Sequence, residues 1–420
     1  MPQVSQAPAL DSTPGPLKGC RICGAADLDS VLSLGHQPWG NDFRPRPHDV
    51  PRYPLDVVMC HRCALVQLGY TVPKEVMFAE HAYLSGMTTS LRAHFAQVAT
   101  GVHARLLERQ PAFMVDIGGN DGTDARCYQA LGWRVLNVES GVKQAALARE
   151  QGIETVNAFF DVDCAREMVG RHGTADVVSA SGVFFHLEKL HSVTEGITAL
   201  LAPQGVFVVQ FIYLLDMLEH VSFDNIYHEH LLFYSLQTLG RLLRMYGLEI
   251  FDAERAAIHG GSVIAYAGHC GAHAPSQRLQ HMLERERHAL GAKDVYRTFA
   301  VQVRQLRDEL ERVVRGLAKA GHRLYAYGAP VKGTTLLNYC GLDVDVVSCA
   351  VEINPFKCGT YYPGTAIPIV SERDVAPPDY YLLLAWNFKD EILRKEISFR
   401  EQGGRFIVPI PWPAIVGRGA

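Results

Sequence analysis

Apolar side chains recur along this chain with helical spacing in some regions and in short buried runs in others. Between residues 295 and 317 they follow one another every three or four positions, the repeat of one face of an α-helix. The stretch therefore predicts a long amphipathic helix that packs in the core or between domains and ends at Gly321. The helix-spaced apolar residues are Val295, Phe299, Val303, Leu306, Leu310, Val313 and Leu317.

From about residue 88, short apolar runs alternate with helical stretches. This alternation predicts an α/β domain with a largely parallel sheet. The runs that predict its strands are at 113–115, 133–139, 175–187 and 205–211, and the third of these includes a loop at its carboxyl end. A turn with the pattern D-x-G-G-x-x-G begins at Asp116, and Glu139 closes the next strand 23 residues later. Because ligands bind beyond the carboxyl ends of such strands, both acids are placed to contact a nucleoside.

The Gly-rich turn and the acid after it form a candidate cofactor site. Its residues are Asp116, Gly118, Asn120, Asp121, Gly122 and Glu139. An acid at the end of each of the first two strands, with no arginine placed for a 2′-phosphate, favours S-adenosylmethionine, with NAD as the alternative. His186 follows a later strand and is either a site residue or a structural histidine.

A second, smaller α/β unit is predicted near the C-terminus. Its predicted strands are "RLYAY", "VDVVSCAVE", "YYLLLAW" and "RFIVPI". The first leads into "GAPVKGTT", a turn and helix start that can bind an anion through free backbone N–H groups or can merely pack two elements. Lys332 and Asn338 are the candidate ligand-binding residues there.

Composition narrows the class of protein. The chain has 420 residues, enough for about two to four domains, with 48% apolar and 20% charged residues. Its formal charge of −4 argues against nucleic acid as the main partner, and no apolar run is long enough to span a membrane. The first residues lack the pattern of a signal peptide, so we expect a cytoplasmic protein whose ten cysteines are free thiols or metal ligands.

Four of the cysteines form two Cys-x-x-Cys pairs, "CRIC" and "CHRC". Two such turns can close a tetrahedral site of four thiolates, which leaves no open position for catalysis. The pairs therefore predict a structural Zn²⁺ bound by Cys20, Cys23, Cys60 and Cys63, with a redox pair as the alternative.

The segment "NIYHEHLLFYS" places four proton-handling groups side by side, from Tyr227 to His230. Three interpretations are open: an acid/base site, a transition-metal site using His228 and His230, and a polar turn. In a strand those two histidines would share a face, whereas in a helical turn Tyr227 and His230 would be neighbours. Ser235 can cap a following helix, which favours the turn.

Several motifs together resemble the deoxysugar C-methyltransferase family. They are the two Cys-x-x-Cys pairs, "VDIGGNDGT" with Glu139, "FDNIYHEHLLFYS", "YAYGAPVKGTTLLNYCG", "PGTAIPIVS", "WNFKDEILRK" and "FIVPIPWP". The resemblance runs from about Cys20 to Val416. It implies methylation by S-adenosylmethionine of a carbon beside the ketone of a nucleotide-linked 4-keto-6-deoxyhexose, with C3 favoured.

The resemblance also implies roles for single residues. His230 matches the family's catalytic base, which removes a proton beside the ketone to form an enolate. Tyr227 and Glu229 orient that base and contact substrate oxygens. His186 and Tyr83 match a histidine and a tyrosine on the substrate side. This chain departs from the family in "HGGSVIAYAG", which lacks the usual basic residue, and at Pro330, where a small polar residue is common.

The expected fold class is α/β with three parts: an N-terminal zinc-binding module, a central Rossmann-like class I methyltransferase domain and a second Rossmann-like domain. The expected boundaries are a disordered lead at 1–15, the zinc-binding domain at 16–75, the methyltransferase domain at 76–255, connecting strands and the long helix at 256–320, and the C-terminal domain at 321–420. A monomer or small homo-oligomer acting on a nucleotide-sugar is expected, with Lys332 and Asn338 as substrate-binding residues and the diphosphate of the substrate as the anion expected at "GAPVKGTT". The alternatives are a non-sugar keto substrate, a non-catalytic nucleotide-binding sensor and an NAD-dependent oxidoreductase.

Overall fold

A computed structural model describes residues 14–47, 49–73, 77, 84–106, 112–292 and 294–418. The predicted lead at 1–15 and the candidate Tyr83 therefore lie largely or wholly outside the described residues. Three main sheets follow one another along the chain, and each corresponds to one expected part of the molecule.

The N-terminal part is built on a small antiparallel sheet with strand order β11-β4-β3-β2. The strands of this part are β1 (Gly15–Pro16), β2 (Leu28–Pro38), β3 (Arg52–Cys60), β4 (Val66–Leu68) and β5 (Tyr70–Thr71), and β1 pairs with β5 in a separate two-stranded sheet. The fourth strand of the sheet, β11 (Leu232–Phe233), comes from the middle of the chain and directly follows the Tyr227–His230 segment. Pairing of β11 with β4 thus fastens that segment to the N-terminal part.

The central part is a seven-stranded sheet covered by helices. Its strands are β6 (Phe113–Ile117), β7 (Arg134–Val138), β8 (Thr155–Val156), β9 (Ala175–Ser181), β10 (Leu201–Ile212), β12 (Leu248–Ala256) and β13 (Ser262–His269). The helices are α1 (Thr89–Arg105), α2 (Thr123–Ala130), α3 (Val142–Glu150), α4 (Val162–His172), α5 (Leu190–Leu200), α6 (Leu214–Glu219) and α7 (Leu236–Arg244).

The strand order of this sheet is β12-β13-β10-β9-β6-β7-β8, with β13 antiparallel to both neighbours. The chain winds in opposite directions from β6 and from β9, so the carboxyl ends of these two strands face a topological switch point, where α/β sheets bind ligands. The Gly-rich turn follows β6 at that point. Strand β13 carries the sheet beyond residue 255, into the segment expected to be connecting.

The C-terminal part has a six-stranded sheet of order β16-β15-β14-β17-β18-β19. Its strands are β14 (Leu324–Tyr327), β15 (Ala350–Glu352), β16 (Ile369–Ser371), β17 (Tyr380–Leu383), β18 (Arg405–Val408) and β19 (Ala414–Val416). Its helices, with the two that precede it, are α8 (Gln277–Leu290), α9 (Val295–Lys319), α10 (Val331–Tyr339), α11 (Lys389–Lys395) and α12 (Ile397–Glu401). All its strands are parallel except β19, which confirms the second Rossmann-like unit.

The long helix predicted from apolar spacing is α9. Its inward residues Phe299, Val303, Leu306 and Leu310 are buried, and the chain leaves the helix before Gly321. Among the described residues, no helix is both long and apolar enough to cross a membrane.

One strand prediction was wrong over most of its length. The segment 344–352 is extended only from Ala350 onward. A side-chain oxygen of Asp343 accepts the N–H of Val344, and its carbonyl accepts the N–H of Val346, which closes a turn. Val344 is left 43% exposed. Local side-chain bonding of this kind competes with strand formation despite the β-branched residues that follow.

Candidate active site

The segment Tyr227–His230 is a tight turn rather than a strand. The N–H of His230 donates to the carbonyl of Tyr227 at 2.9 Å, and the two rings lie 3.8 Å apart between centroids. Ser235 caps α7 by accepting from the N–H of Thr238, whose hydroxyl accepts from the N–H of Ser235 in return. The local conformation is therefore a turn and not a strand, and Tyr227 and His230 are neighbours in it.

His230 is held in one tautomer by a backbone carbonyl. Its Nδ1 lies 2.7 Å from the carbonyl oxygen of Asn225. Because a carbonyl can only accept, Nδ1 carries the proton and Nε2 keeps its lone pair. Burial lowers the pKa of His230 well below the usual value, and the neighbouring His186 lowers it further. The imidazole is therefore neutral at physiological pH and able to accept a proton at Nε2.

His186 lies beside His230 in the loop that follows β9. Its Nδ1 is 2.7 Å from the carbonyl oxygen of Glu229, and the two histidine rings are 5.1 Å apart. The ring of Phe185 packs against both, at 4.5 Å from His186 and 4.6 Å from His230. The loop after β9 and the histidine turn therefore form one cluster.

Glu229 is buried and bonded to the N-terminal part of the chain. Its Oε1 accepts from the indole N–H of Trp39 at 2.5 Å and from the amide of Asn41 at 2.9 Å. Burial raises the pKa of Glu229 to about 7, whereas these two donors and the nearby Lys357 act in the opposite direction. The ionisation of this carboxyl group therefore depends on the donors that contact it.

His228 faces away from this cluster, toward β3. Its Nε2 lies 3.3 Å from the carbonyl oxygen of Tyr53, and the Tyr53 ring meets it edge-on. Burial lowers the pKa of His228 to about 4. In the described part of the chain, no group of metal-ligating side chains includes His228 or His230. A shared metal on these two histidines therefore finds no support.

Lys332 reaches the same turn from the C-terminal part. Its Nζ lies 3.8 Å from Asp224 and 3.8 Å from the ring centroid of Trp386, whose indole N–H donates to Asp224 at 2.6 Å. Burial lowers the pKa of Lys332 to about 8. Asp224 directly precedes Asn225, the residue that holds His230. The lysine therefore lies in the core of the cluster and not on an open anion-binding loop.

His259 joins the cluster from the short helix Ile258–Gly260. Its φ of 55° is uncommon for a residue with a side chain, and such strained positions concentrate at functional sites. A Cβ on the following Gly260 would lie 2.4 Å from the Trp386 ring, so only glycine lets this turn pack so closely. Burial and then the charge of Lys332 lower the pKa of His259.

The candidate cofactor loop lies at the switch point of the central sheet. A Cβ on Gly119 would come within 2.3 Å of both Asp116 Oδ2 and Asn137 Oδ1, so the backbone can cross the strand ends only at a glycine. Asp116 is buried, and its Oδ2 has no hydrogen-bond partner among the described residues. Burial, followed by the negative charges of Asp124 and Glu139, raises its pKa well above the usual range.

Glu139 closes this loop from the next strand. Its two oxygens accept from the N–H groups of Asn120, at 2.9 Å, and Gly141, at 2.6 Å. Asp121 accepts from the N–H of Gly86 at 2.9 Å, which brings the segment before α1 over the loop. A cluster of carboxyl groups with an orphaned oxygen suits a cationic ligand such as a sulfonium with an ammonium group.

The four cysteines of the N-terminal part converge on one point. Their Sγ atoms all lie within 4.8 Å of one another, with 3.3 Å between Cys20 and Cys63 and 3.5 Å between Cys23 and Cys60. Thiolates at zinc's usual bond length in a tetrahedron would be about 3.8 Å apart. The geometry fits a structural Zn²⁺ held by all four.

Three family profiles match consecutive parts of the chain. They describe a zinc binding domain at residues 20–78, a methyltransferase domain at 91–253 and a C-methyltransferase C-terminal domain at 257–411. Among curated proteins, the chain is 35% identical to the C-methyltransferase NovU of Streptomyces niveus over 408 residues, which is 96% of this chain and 97% of that protein. This chain belongs to the C-methyltransferase family. It is an S-adenosylmethionine-dependent enzyme with a zinc-binding N-terminal domain.

The solved structures compared with this C-methyltransferase have lower sequence identity to it than NovU has, and they match less of the chain. The CcbJ methyltransferase of Streptomyces caelestis is 16% identical, with a TM-score of 0.33, over 42% of this chain and 89% of its own. Magnesium protoporphyrin IX methyltransferase of Synechocystis with bound S-adenosylmethionine is 13% identical, with a TM-score of 0.33, over 45% of this chain and 86% of its own. At these scores the likeness carries no weight for function.

Asn338, in the C-terminal part of the C-methyltransferase, contacts the N-terminal part. Its amide donates to the carbonyls of Thr334 and Pro363, and its Oδ1 accepts from the exposed Arg52 of β3 at 3.2 Å. The contact joins α10 to the N-terminal sheet. A role in substrate binding stays a prediction for this residue.

Other side chains of the cluster were not identified from the sequence. They are Trp39, Asn41, Asp224, His259, Lys357 and Trp386. Asp224 and Trp386 stand inside family motifs that were recognised, and their residue types could have marked them. His259 stands in "HGGSVIAYAG", the stretch that departs from the family. Trp39 and Asn41 have only the short polar stretch "PWGNDF" after a strand as a signal.

Proposed function

We propose that this C-methyltransferase methylates a carbon beside the ketone of a nucleotide-linked 4-keto-6-deoxy sugar, with C3 favoured. The observation that carries the proposal is His230, a buried neutral imidazole whose Nε2 keeps its lone pair. The choice of a sugar rests on the family resemblance of the combined motifs. NovU is named only as a C-methyltransferase.

His230 is the proposed general base. It takes the proton from the carbon beside the ketone at Nε2, and the C–H electron pair moves into the carbonyl to form an enolate. The hydrogen bond from Nδ1 to the carbonyl of Asn225 strengthens when the ring becomes positive, which favours proton uptake. When bound, S-adenosylmethionine supplies the electrophilic methyl group that the enolate carbon takes.

The neighbours of His230 would orient the substrate. Tyr227 packs on the base, Glu229 offers a carboxyl group, and His186 lies beside the base with its Nδ1 donating to a carbonyl. Each can contact a keto or hydroxyl oxygen of a sugar. Tyr83, outside the described residues, is proposed for the same side of the substrate from the family resemblance alone.

Lys332 is the proposed cation for the developing enolate. In the described chain its Nζ has no hydrogen-bond partner, although it is buried beside Asp224 and Trp386. A cation in a dry site favours a negative oxygen strongly, because little solvent screens it. Substrate binding by Lys332 is therefore proposed near the reacting carbonyl. Asn338 remains the weaker substrate candidate because its amide is already bonded.

The remaining assignments concern the cofactors and the molecule as a whole. Asp116, Gly118, Asn120, Asp121, Gly122 and Glu139 are proposed to hold S-adenosylmethionine, and Cys20, Cys23, Cys60 and Cys63 to hold Zn²⁺. A monomeric or small homo-oligomeric state and a cytoplasmic location remain predictions.

The test combines methylation with proton exchange. The enzyme is incubated with labelled S-adenosylmethionine and a panel of 4-keto nucleotide-sugars and simple ketones, and each substrate is also incubated in D₂O with S-adenosylhomocysteine. Methylation of a nucleotide-sugar, with deuterium entering the same carbon, supports the proposal. Methylation of simple ketones alone would replace the sugar by another keto substrate, and methylation without exchange would contradict the enolate.

A further inference from the structure

The segment after β2 crosses from the zinc-binding domain to the catalytic turn. Trp39 is 9% exposed and donates to Glu229 Oε1 at 2.5 Å, and Asn41 donates to the same oxygen at 2.9 Å. Trp39 lies 190 positions from Glu229 along the chain, and Asn41 lies 188 positions from it. The zinc-binding domain therefore supplies part of the wall of the active site.

Both contacts act on the ionisation of one carboxyl group. An indole N–H and an amide NH₂ can only donate, so Oε1 is fixed as an acceptor. Hydrogen bonds to a charged group are stronger than those to its neutral form, so two donors on one oxygen stabilise the carboxylate over the acid. They also hold the carboxyl plane in one orientation, with Oε2 as the remaining oxygen for a substrate.

Other charged and titratable groups around Glu229 come from three elements. Lys357, in the loop after β15, is the cation near enough to influence it, although its Nζ is bonded to the carbonyl of Ala329 at 2.6 Å. His186 bonds to the backbone carbonyl of Glu229, and His228 and His230 flank it in the turn. Trp39 and Asn41 are thus the side chains that contact the carboxyl group directly.

The zinc site connects to these donors through β2. Leu28, the first residue of that strand, pairs with Cys60 at the end of β3, and the other end of β2 leads directly to Trp39. A metal held by the four cysteines would order the turns at one end of this hairpin, and the donors lie just beyond the other end. The position of the two donors therefore depends on a domain that zinc holds together.

We propose that Trp39 and Asn41 are positioning residues that favour the ionised form of Glu229 and fix its orientation, so that the zinc-binding domain influences the charge of the catalytic turn. This inference rests on the proposed function for the role of Glu229 in catalysis. The ionisation itself can be measured without any substrate.

The direct test follows the Glu229 carboxyl carbon by NMR in ¹³C-glutamate-labelled, zinc-loaded protein, with the resonance assigned by its loss in Glu229→Gln. In Trp39→Phe we expect the Glu229 pKa to rise by about one unit, since a donor to a charged group is lost. Trp412→Phe, at a half-exposed tryptophan remote in sequence, is the matched control and should leave it unchanged. An unchanged Glu229 pKa in folded, zinc-loaded Trp39→Phe would overturn the proposal.

The kinetic test uses the pH profile of kcat/KM. If ionised Glu229 is the active form, Trp39→Phe moves the acidic limb upward by the same shift and recovers activity at high pH, and Asn41→Ala does so by less. In Glu229→Gln the acidic limb of the kcat/KM profile should be absent. The double variant Glu229→Gln, Trp39→Phe should have the same pH profile as Glu229→Gln alone. If Trp39→Phe lowers kcat/KM by the same factor at every pH, Trp39 has a merely structural role. If no substrate is turned over at all, the proposed function fails while the NMR result still decides this inference.

Discussion

The cofactor loop and the histidine turn are two sites built in different ways. The loop lies between β6 and β7, and its principal residues fall within 24 consecutive positions, from Asp116 to Glu139. The turn is completed by Trp39 and Asn41 from one side and by Lys332 and Trp386 from the other. A site made by one strand–turn–helix unit depends on local folding, whereas a site shared by three domains depends on how they pack.

The largest expected effect comes from breaking the zinc site with Cys60→Ser. Structural zinc contributes about 10 kcal/mol or more of apparent binding energy to small domains, so the variant should lose zinc and the order of the N-terminal sheet. Methyl transfer should fall at least about 1,000-fold, a loss like that of a catalytic group. The affinity for S-adenosylhomocysteine, measured by calorimetry, should change little.

The matched control is Cys270→Ser, which alters an exposed cysteine and should retain zinc and activity. If the Cys60 variant were metal-free but fully active, zinc would not support the composite site. If the Cys60 variant lost S-adenosylhomocysteine binding as well as activity, the cofactor loop would depend on the zinc-binding domain as much as the histidine turn does.

The next effect is on the base itself. His230→Asn keeps a polar side chain of similar size but removes the lone pair of Nε2. Because general bases contribute about 100- to 10,000-fold, we expect a fall in kcat of about 1,000-fold with nearly unchanged S-adenosylmethionine affinity. His281→Asn on α8 is the control and should be as active as the natural enzyme. Turnover that survives in the His230 variant would assign the base to another group.

Glu139→Gln is the corresponding change in the cofactor loop. Loss of a charged acceptor should weaken S-adenosylhomocysteine binding about 10- to 100-fold, measured by calorimetry. Exchange of the substrate proton at saturating ligand should remain, because the histidine turn is untouched. Glu150→Gln, at the exposed end of α3, is the control. Equal loss of binding and exchange would show that the two sites are not independent.

The smallest effect concerns the stability of the turn toward acid. His228 is buried with its pKa lowered to about 4, so its neutral form stabilises the fold above its ordinary pKa of about 6.5, and this contribution is lost as the pH falls toward 4. Between pH 6.5 and 4.5 this histidine should lower the free energy of unfolding of the natural enzyme. We expect the decrease over that range to be about 2 kcal/mol smaller in His228→Gln. Urea titrations across this range measure the difference, and parallel curves would contradict it.

Local patterns predicted most of the elements and the contiguous site. Spacing identified α9, the glycines marked the turn after β6, and Ser235 marked the start of α7, because these features depend on neighbours in the chain. The failure at 344–349 is instructive, because Asp343 closes a turn that the β-branched residues after it would not predict. Family motifs, rather than patterning, pointed to His230.

The sequence by itself determined the α/β class, the paired cysteine turns, the acid-rich glycine loop and the presence of a histidine-rich turn. Only the tertiary structure decided which nitrogen of His230 is free, that His228 faces β3, and that Trp39, Asn41 and Lys332 meet around one turn. The physical reason is the separation along the chain between the residues that interact. Helices, turns and caps are set by bonds between residues a few positions apart, whereas a buried ionisable group takes its charge from whichever distant segments pack around it.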